Sequence, residues 1–249
     1  MRIKEWITAS KKRTVIVVVL VVISLIVGGF LGWALTPLGP MDEALDALES
    51  DDEVEVKVSS DRVTFTPADR EVKTGLVIYP GGRVDHRSYA PVARQISEEG
   101  FLVVITKMPL NLAFFDQDEA EEVINDHPEV ESWAVGGHSL GGVMAARFAD
   151  EEKVIGLVLW ASYPDEDLSD KDISVLSLYG TRDGVTTVED VKSREDKLPP
   201  DAELVAIEGG NHAQFGWYGD QRGDNEATIT RVKQQRIIVD KTAGFLVGL

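Results

Sequence analysis

Residues 132–149 read SWAVGGHSLGGVMAARFA: an apolar run precedes the pentapeptide GHSLG (137–141), and an alanine-rich run follows it. One further glycine stands on each side of the pentapeptide. Where a strand turns sharply into a helix, glycines are needed because larger side chains would clash with the neighbouring backbone. The stretch therefore predicts a strand, a tight turn that presents the Ser139 hydroxyl, and a helix whose N-terminus points at it. A glycine-rich turn without chemistry is the alternative.

Apolar runs typical of strands recur on both sides of this turn and alternate with segments of helical periodicity. Strands are predicted at 54–58, 62–66, 75–79, 101–106, 133–135, 154–160, 173–179 and 203–207. Helices are predicted at 88–100, near 117–125, at 140–149, near 188–197 and from about 225. Repeated strand–helix–strand units with continuously apolar strands favour a mostly parallel sheet covered by helices on both faces. The first two strands alternate apolar and polar residues, which indicates an antiparallel edge pair.

A serine hydroxyl becomes an effective nucleophile only when a base takes its proton and an acid orients that base. In a chain of this kind the acid, and then a histidine, are expected at later strand ends. Asp183 comes just past the strand at 173–179, and His212 comes just past the strand at 203–207. The sequence therefore predicts Ser139, Asp183 and His212 as a catalytic triad.

Other residues compete for the roles of acid and base. Asp165 follows the preceding strand and is the main alternative acid. His127 stands before a proline at a helix end, which is typical of a surface residue, and His86 lies near the end of the first central strand. His138 lies inside the turn, where packing or a local hydrogen bond is the simpler interpretation. These alternatives stay open at the level of sequence.

Acyl transfer also requires hydrogen-bond donors for the oxyanion that develops on the substrate. The backbone N–H of Leu140, directly after the serine, is one candidate. The second donor is expected from the loop PGGR (80–83), in which Gly82 or Arg83 is the candidate. A tight turn alone would also explain the two glycines.

Aromatic residues near the strand ends are candidates for a substrate pocket, and packing in the core explains them equally well. The candidates for substrate binding are His138, Phe114, Phe215 and Trp217. No metal site is predicted, because the spacing of Asp220, Asp224 and Glu226 matches no calcium loop. A solvated acidic loop is the simpler interpretation of those three carboxylates.

The charge and the absence of cysteine exclude several classes of function. The formal net charge is −18, and residues 37–249 carry 20 basic side chains against 42 acidic ones. Phosphate binding needs positive side chains, so a nucleic-acid partner is excluded. Without cysteine the chain has no disulfide, no thiolate metal site, no cysteine nucleophile and no lipoprotein anchor.

The N-terminus is predicted to be a membrane segment. Residues 15–35, VIVVVLVVISLIVGGFLGWAL, carry no charge over a length that spans about 30 Å as a helix. A signal peptide is the alternative, but its apolar region is about 7–15 residues long, and no good cleavage site follows here. Five basic residues against one acidic residue in 1–13 predict that this end is cytoplasmic and that residues after the helix are outside. Gly28-x-x-x-Gly32 is a candidate face for weak homodimerisation.

The predicted organisation has four parts. These are a basic cytoplasmic N-terminus (1–13), a transmembrane anchor (14–36), an acidic linker (37–53) and one α/β domain (54–249). Only residues 162–172 separate the strand at 154–160 from the next strand, which is too short for a cap domain.

Four stretches of the α/β domain carry a family resemblance: YPGGRVD (79–85), KMPLNLAF (107–114), GGHSLGGVMAA (136–146) and GGNHAQFGWYGDQRGD (209–224). With them, the domain resembles the α/β-hydrolase superfamily, and within it the small bacterial α/β-hydrolase family 5, which is related to dienelactone-hydrolase-like proteins. The resemblance implies an α/β-hydrolase fold, Ser139 as nucleophile, Asp183 as acid, His212 as base and the loop at 79–83 as oxyanion support. Dienelactone hydrolases proper use a cysteine that this chain lacks, so ester hydrolysis by serine is the better interpretation.

The expected function is that of a membrane-anchored, extracytoplasmic serine hydrolase of the carboxylesterase kind. Its substrate is expected to be a small-molecule ester or thioester, and its mechanism needs no metal and no organic cofactor. An amidase or peptidase would use the same triad. A catalytically silent binding domain that kept the fold is the alternative from another class, and the intact triad argues against it.

Overall fold

Helices and strands alternate in the computed structural model, which describes residues 2–151 and 154–249. The helices are α1 (Arg2–Ala34), α2 (Asp42–Asp46), α3 (Ala90–Glu98), α4 (Glu119–Asp126), α5 (Leu140–Asp150), α6 (Val188–Lys192) and α7 (Arg231–Val247). The strands are β1 (Val54–Val58), β2 (Arg62–Pro67), β3 (Thr74–Tyr79), β4 (Leu102–Thr106), β5 (Ser132–His138), β6 (Gly156–Trp160), β7 (Ser174–Gly180) and β8 (Glu203–Ile207). Met1–Pro37 and Leu38–Leu249 form two separate units.

These strands join one sheet in the order β1-β2-β4-β3-β5-β6-β7-β8. The pairs from β4 to β8 are parallel, whereas β1 pairs antiparallel with β2, and β2 pairs antiparallel with β4. The predicted parallel sheet with an antiparallel edge pair is therefore confirmed. Because the six parallel strands end at one edge, that edge is where a ligand is expected to bind.

Helices cover both faces of the sheet, because successive residues of a buried strand point to opposite sides. On one side, Leu76 and Ile78 of β3 pack in a buried cluster with residues of α3 and α7. On the other side, Val77 and Tyr79 pack in a second cluster with residues of α4 and α5. Between β6 and β7, the described residues 161–173 contain no helix or strand, so the domain has no cap at this position.

The helices at the C-terminal end differ from their predicted bounds. The helix predicted from about residue 225 begins at Arg231, where the Thr230 side chain accepts the N–H of Lys233. The residues before it bind the loop after β8 instead, since the N–H of Thr228 donates to the carbonyl of Gly209 (2.8 Å). The helix predicted near 188–197 is the short α6, followed by a 3₁₀ turn at Glu195–Lys197.

The segment predicted as a linker, 37–53, belongs to the second unit from Leu38 onward. The N–H of Leu38 donates to the carbonyl of Arg83 (2.7 Å), and the N–H of Met41 donates to the carbonyl of Trp217 (2.8 Å). Within α2, Ala44 is completely buried. The acidic composition suggested a solvated tether, but a few backbone and apolar contacts fix this segment to the domain, so the domain begins at Leu38 rather than Val54.

α1 includes a span, Arg13–Ala34, that is 22 residues long with a mean hydropathy of 3.1. At 1.5 Å per residue this span is about 33 Å long, and the hydrocarbon core of a bilayer is about 30 Å thick. The helix is therefore long and apolar enough to cross a membrane, as the sequence predicts. The basic side chains of residues 2–12 lie outside the side chains that the structure describes, and the orientation across the membrane stays a prediction.

Candidate functional site

Ser139 lies at the turn between β5 and α5 and has an unusual backbone conformation. Its φ is 52° and its ψ is −121°, a combination that is strained for a residue with a side chain. The turn can be this tight only because of its glycines: a Cβ on Gly141 would lie 2.2 Å from the carbonyl oxygen of Tyr79. The predicted strand, tight turn and helix are therefore present, and the serine is held at the carboxyl edge of the sheet.

His212 and Asp183 form a buried hydrogen-bonded pair on the loops after β8 and β7. Nδ1 of His212 lies 2.8 Å from Oδ2 of Asp183, and the two side chains are 1% and 0% exposed. The other carboxylate oxygen of Asp183 accepts the N–H groups of Val185 (2.8 Å) and Thr186 (2.7 Å). A carboxylate in this position assigns the imidazole proton to Nδ1. Nε2 is then the basic nitrogen, and it is buried without a hydrogen-bond partner among the described residues.

The imidazole of His212 packs beside the residue that precedes Ser139. The ring centroids of His138 and His212 are 4.4 Å apart. The structure thus brings the three predicted triad residues to one edge of the sheet, on the loops after β5, β7 and β8.

His138 is completely buried and is held by a chain of hydrogen bonds. The N–H of Gly81 donates to the hydroxyl oxygen of Tyr89 (3.0 Å), and this hydroxyl lies 2.8 Å from Nδ1 of His138. The His138 ring stacks on Phe215, with centroids 5.6 Å apart. Burial, and then the proximity of His212, lower the pKa of His138 well below its usual value. His138 is therefore a neutral residue that supports the site from within the core.

The loop at 80–83 lies against the start of α5. A Cβ on Gly82 would lie 3.2 Å from Cδ2 of Leu140, so the two candidate oxyanion donors are neighbours. Leu140 is the first residue of α5, where a backbone N–H has no carbonyl partner within the helix. On either side of Gly82, the N–H of Gly81 donates to Tyr89, and the N–H of Arg83 donates to the carbonyl of Asn111 (2.8 Å).

The aromatic candidates for substrate binding occupy different environments. Phe215 is completely buried in the core and stacked on His138, so packing explains both residues, as the sequence left open. Trp217 is partly exposed, and the guanidinium of Arg231 lies 5.7 Å from its ring centroid. Phe114 is 48% exposed. Of the four, Phe114 and Trp217 reach the surface.

The competing acid and histidines are engaged elsewhere. Asp165 forms two hydrogen bonds of 3.1 Å with Nε of Arg147, and these bonds lower its pKa. His127 pairs with Glu129 (3.1 Å). His86 is buried with Nδ1 3.4 Å from Oδ1 of Asp85, and burial lowers its pKa to about 4.

Sequence reasoning missed three residues that shape the site. Tyr89 fits the apolar face of a helix in the sequence, yet its hydroxyl links the loop at 80–83 to His138. Asp224 and Arg231 bind the loops that carry Asp183 and His212. The available signal was the length of the stretch at 209–224, which extends twelve residues beyond the histidine.

Comparison with known proteins identifies the family and the fold. A family model described as an alpha/beta hydrolase family matches residues 75–236, a range that includes Ser139, Asp183 and His212. No curated protein matches the chain. Among solved structures, the chain is similar to TT1662 from Thermus thermophilus, with 15% identity, a TM-score of 0.57 and coverage of 78% of this chain and 98% of the other. It is also similar to Est1E from Butyrivibrio proteoclasticus, with 15% identity, a TM-score of 0.57 and coverage of 79% and 98%. At this identity the two structures show the shared fold.

Proposed function

The chain belongs to the alpha/beta hydrolase family, and on that basis we propose that it is a serine hydrolase that cleaves carboxylic esters or thioesters. The observation that carries the proposal is the buried 2.8 Å hydrogen bond between His212 and Asp183. A binding domain has no need of a buried imidazole–carboxylate pair next to a serine with a φ of 52°. Both are expected of a serine nucleophile at the strand-to-helix turn of an α/β-hydrolase.

In the acylation step, the hydroxyl oxygen of Ser139 attacks the carbonyl carbon of the substrate. The hydroxyl proton passes to Nε2 of His212, and the carbonyl electron pair moves onto the substrate oxygen. Asp183 keeps the imidazole in the tautomer that leaves Nε2 free to accept, and it stabilises the imidazolium that results. The two N–H groups of Val185 and Thr186 hold the carboxylate in place while this charge develops.

The oxyanion is stabilised by the N–H groups of Leu140 and Gly82. Both belong to backbone that is fixed before the substrate binds, which is what makes such donors effective. The sequence left Gly82 and Arg83 as alternatives. Because the N–H of Arg83 already donates to Asn111, Gly82 is our choice for the second donor.

The tetrahedral intermediate collapses when the imidazolium of His212 gives its proton to the departing alcohol or thiol. The acyl group stays on Ser139 as an ester. A water molecule then attacks this ester and gives a proton to Nε2 of His212. The imidazolium returns this proton to the oxygen of Ser139 as the carboxylic acid is released, which restores the free enzyme. Every proton moves through Nε2 of His212, so no cofactor enters the cycle.

A fluorophosphonate probe, which reacts with activated serines, tests the nucleophile. The full chain in detergent is expected to be labelled, and Ser139→Ala is expected to lose the label. Ser177→Ala, which removes a buried serine of β7, is the matched control and is expected to keep it. Absence of labelling in the folded wild type would favour the silent binding domain instead.

A panel of chromogenic substrates tests the bond that is cleaved. The p-nitrophenyl esters and thioesters of one acyl chain are expected to be hydrolysed faster than its p-nitroanilide. Faster hydrolysis of the anilide would favour an amidase or peptidase. Increasing the chain length of the esters would then define the acyl group.

We also propose that α1 anchors the enzyme in the cell membrane, with the N-terminus in the cytoplasm and the hydrolase domain outside. Protease added to intact cells is expected to digest the domain, and full protection would reject this orientation. A weak homodimer through Gly28 and Gly32 belongs to the same proposal. If the yield of cross-linked dimer in the membrane is the same in the wild type, Gly28→Ile and Gly32→Ile, a dimer through these glycines is rejected.

A further inference from the structure

The acid and the base of the proposed triad lie on two separate loops, so their alignment depends on what fixes those loops to each other. The pairing of β7 with β8 ends at Gly180 and Ile207. Asp183 and His212 lie three and five residues beyond these ends. The sheet therefore brings the two loops together but does not by itself set the distance between the two side chains.

One carboxylate binds both loops. Oδ1 of Asp224 accepts the N–H of Gly184 (3.0 Å), and Oδ2 of Asp224 accepts the N–H of Ala213 (2.8 Å). These two N–H groups belong to the peptide bonds that directly follow Asp183 and His212. A single side chain thus bridges the backbone immediately after the acid to the backbone immediately after the base.

The segment that carries Asp224 also packs directly on the acid loop. A Cβ on Gly184 would lie 2.7 Å from the carbonyl oxygen of Gly223 and 2.8 Å from the N of Asn225. The amide nitrogen of the Asn211 side chain donates to the carbonyl of Asn225 (2.8 Å). The two loops and residues 223–225 are therefore joined by hydrogen bonds between side chains and backbone and by the close packing of Gly184.

Arg231 secures the base loop from another direction. Its guanidinium donates to the carbonyls of Ala213 (2.6 Å), Gly216 and Gly219 (3.1 Å). Ala213, directly after His212, is therefore held at its N–H by Asp224 and at its carbonyl by Arg231. The acid loop is tied to the base loop before Asp183, where the N–H of Arg182 donates to the carbonyl of Gly210 (2.8 Å). The Asp224 bridge adds a tie directly after Asp183, at Gly184.

We propose that Asp224 is a positioning residue of this hydrolase, whose carboxylate locks the acid loop to the base loop and so keeps Asp183 within hydrogen-bond distance of Nδ1 of His212. The inference rests on the proposed function, because it assigns a role within the same triad. Asp224 acts through the backbone and does not touch the reacting atoms. This role also links the two ends of the stretch at 209–224, since Asp224, its last residue, binds the N–H directly after His212.

The bridge requires a carboxylate, because two N–H donors on different loops need two acceptor oxygens. An amide offers one oxygen, and its NH₂ group would face the other N–H. Asp224→Asn is therefore expected to keep one half of the bridge, and Asp224→Ala is expected to lose both. The order of activity is expected to be wild type, then Asp224→Asn, then Asp224→Ala.

The test combines steady-state hydrolysis of a p-nitrophenyl ester with NMR of the full chain in detergent. Displacement of a catalytic group by about 1 Å costs on the order of 10²-fold in rate, so Asp224→Ala is expected to lower kcat by about 10²-fold. KM is expected to stay within about twofold, since ground-state binding is unaffected. In ¹⁵N-histidine-labelled protein, the Nδ1–H proton of His212 is expected at low field in the wild type and to shift upfield in both variants, more in Asp224→Ala. Asp183→Asn identifies this signal.

Asp51 provides the matched control. Its Oδ1 accepts two backbone N–H groups, from Glu53 and Val54 (both 2.9 Å), in the loop before the edge strand β1. Asp51→Ala removes the same kind of bonds, together with the ion pair between Oδ2 and Arg94 (2.6 Å), and is expected to leave kcat and the His212 signal unchanged. If Asp224→Ala fails to fold, Gly184→Ala separates the same segments by the clash of its new Cβ and is expected to show the same two effects.

Three results would overturn the positioning role. They are an unchanged kcat in folded Asp224→Ala, a lower kcat with an unchanged His212 signal, and equal losses in Asp51→Ala. Failure of the proposed function looks different: the wild type would then show neither ester hydrolysis nor fluorophosphonate labelling. The His212 signal in Asp224→Ala would still decide whether Asp224 holds the pair.

Discussion

Replacing Tyr89 with phenylalanine removes one buried oxygen atom and is expected to weaken both the fold and the catalysis. The ring of Tyr89 is part of the core packed against α3 and is 0% exposed. Phenylalanine keeps this packing. The change therefore isolates the hydroxyl, which accepts the N–H of Gly81 (3.0 Å) and contacts Nδ1 of His138 (2.8 Å).

The expected loss of stability follows from the two groups that stay buried without a partner. A buried donor or acceptor that loses its hydrogen bond costs about 1–3 kcal/mol. Gly81 and His138 together therefore predict a decrease of about 2–6 kcal/mol in the free energy of unfolding. Gly81 also precedes Gly82, the proposed oxyanion donor. Because loss of one such donor costs about 10²–10³-fold in kcat, a displaced donor is expected to cost about tenfold.

Tyr79→Phe is the matched control for this experiment. Tyr79 is also 0% exposed, and its hydroxyl donates to the carbonyl of Gln117 (2.7 Å) and accepts the N–H of Ala120 (2.9 Å). The two variants are expected to lose similar stability in urea titrations of the full chain in detergent. Only Tyr89→Phe is expected to lose kcat. Equal kcat values for the two variants would refute the reasoning. So would a decrease of less than about 0.5 kcal/mol in the free energy of unfolding of Tyr89→Phe, which is the size usual for a surface change.

Three further predictions concern other parts of the site and fold. Asp183→Asn is expected to lower kcat by on the order of 10³–10⁴-fold, whereas Asp165→Asn is expected to change it little. Ester hydrolysis by the two variants tests this, and a greater loss in Asp165→Asn would make Asp165 the acid. Gly141→Ala is expected to cost about 3 kcal/mol or more, visible as a lower Tm, because its Cβ would lie 2.2 Å from the carbonyl oxygen of Tyr79. Burial lowers the pKa of His86 from 6.5 to about 4, so the neutral imidazole contributes stability above pH 6.5 that is lost as the pH falls toward 4. In urea titrations, the free energy of unfolding of His86→Gln is expected to fall by roughly 3 kcal/mol less than that of the wild type between pH 6.5 and pH 4. The same pH dependence in both proteins would contradict this role of His86.

The sequence was sufficient to predict that Ser139, Asp183 and His212 lie at one edge of the sheet, because local rules place them. The glycines around Ser139 indicate a tight turn, and in a parallel sheet the residues just past each strand must meet at one edge. Asp183 and His212 come just past strands that the apolar pattern predicts within one residue of their observed ends. Their meeting is thus a consequence of topology.

The residues that hold this site together could not be predicted in the same way, because their roles depend on contacts between distant parts of the chain. Asp224 binds N–H groups that are 40 and 11 residues away, and its acidic surroundings suggested a solvated loop. Tyr89 fits a helical apolar pattern whether or not its hydroxyl has a partner. The same holds for Leu38 and Met41, because the amino-acid composition of their segment does not indicate their backbone hydrogen bonds to Arg83 and Trp217.

The histidine next to the nucleophile raises an electrostatic problem that its burial resolves. Its ring centroid lies 4.4 Å from that of His212, which becomes an imidazolium in the proposed mechanism. A second positive charge at that distance would oppose the step by about 4 kcal/mol at an effective dielectric constant of 20. Burial lowers the pKa of His138 well below its usual value. The hydroxyl of Tyr89 accepts the N–H of Gly81 and lies 2.8 Å from Nδ1 of His138, a contact that a neutral imidazole makes without a second proton. A neutral His138 can therefore pack against the base without resisting its protonation, and the hydroxyl of Tyr89 also holds the loop of the proposed oxyanion donor through Gly81.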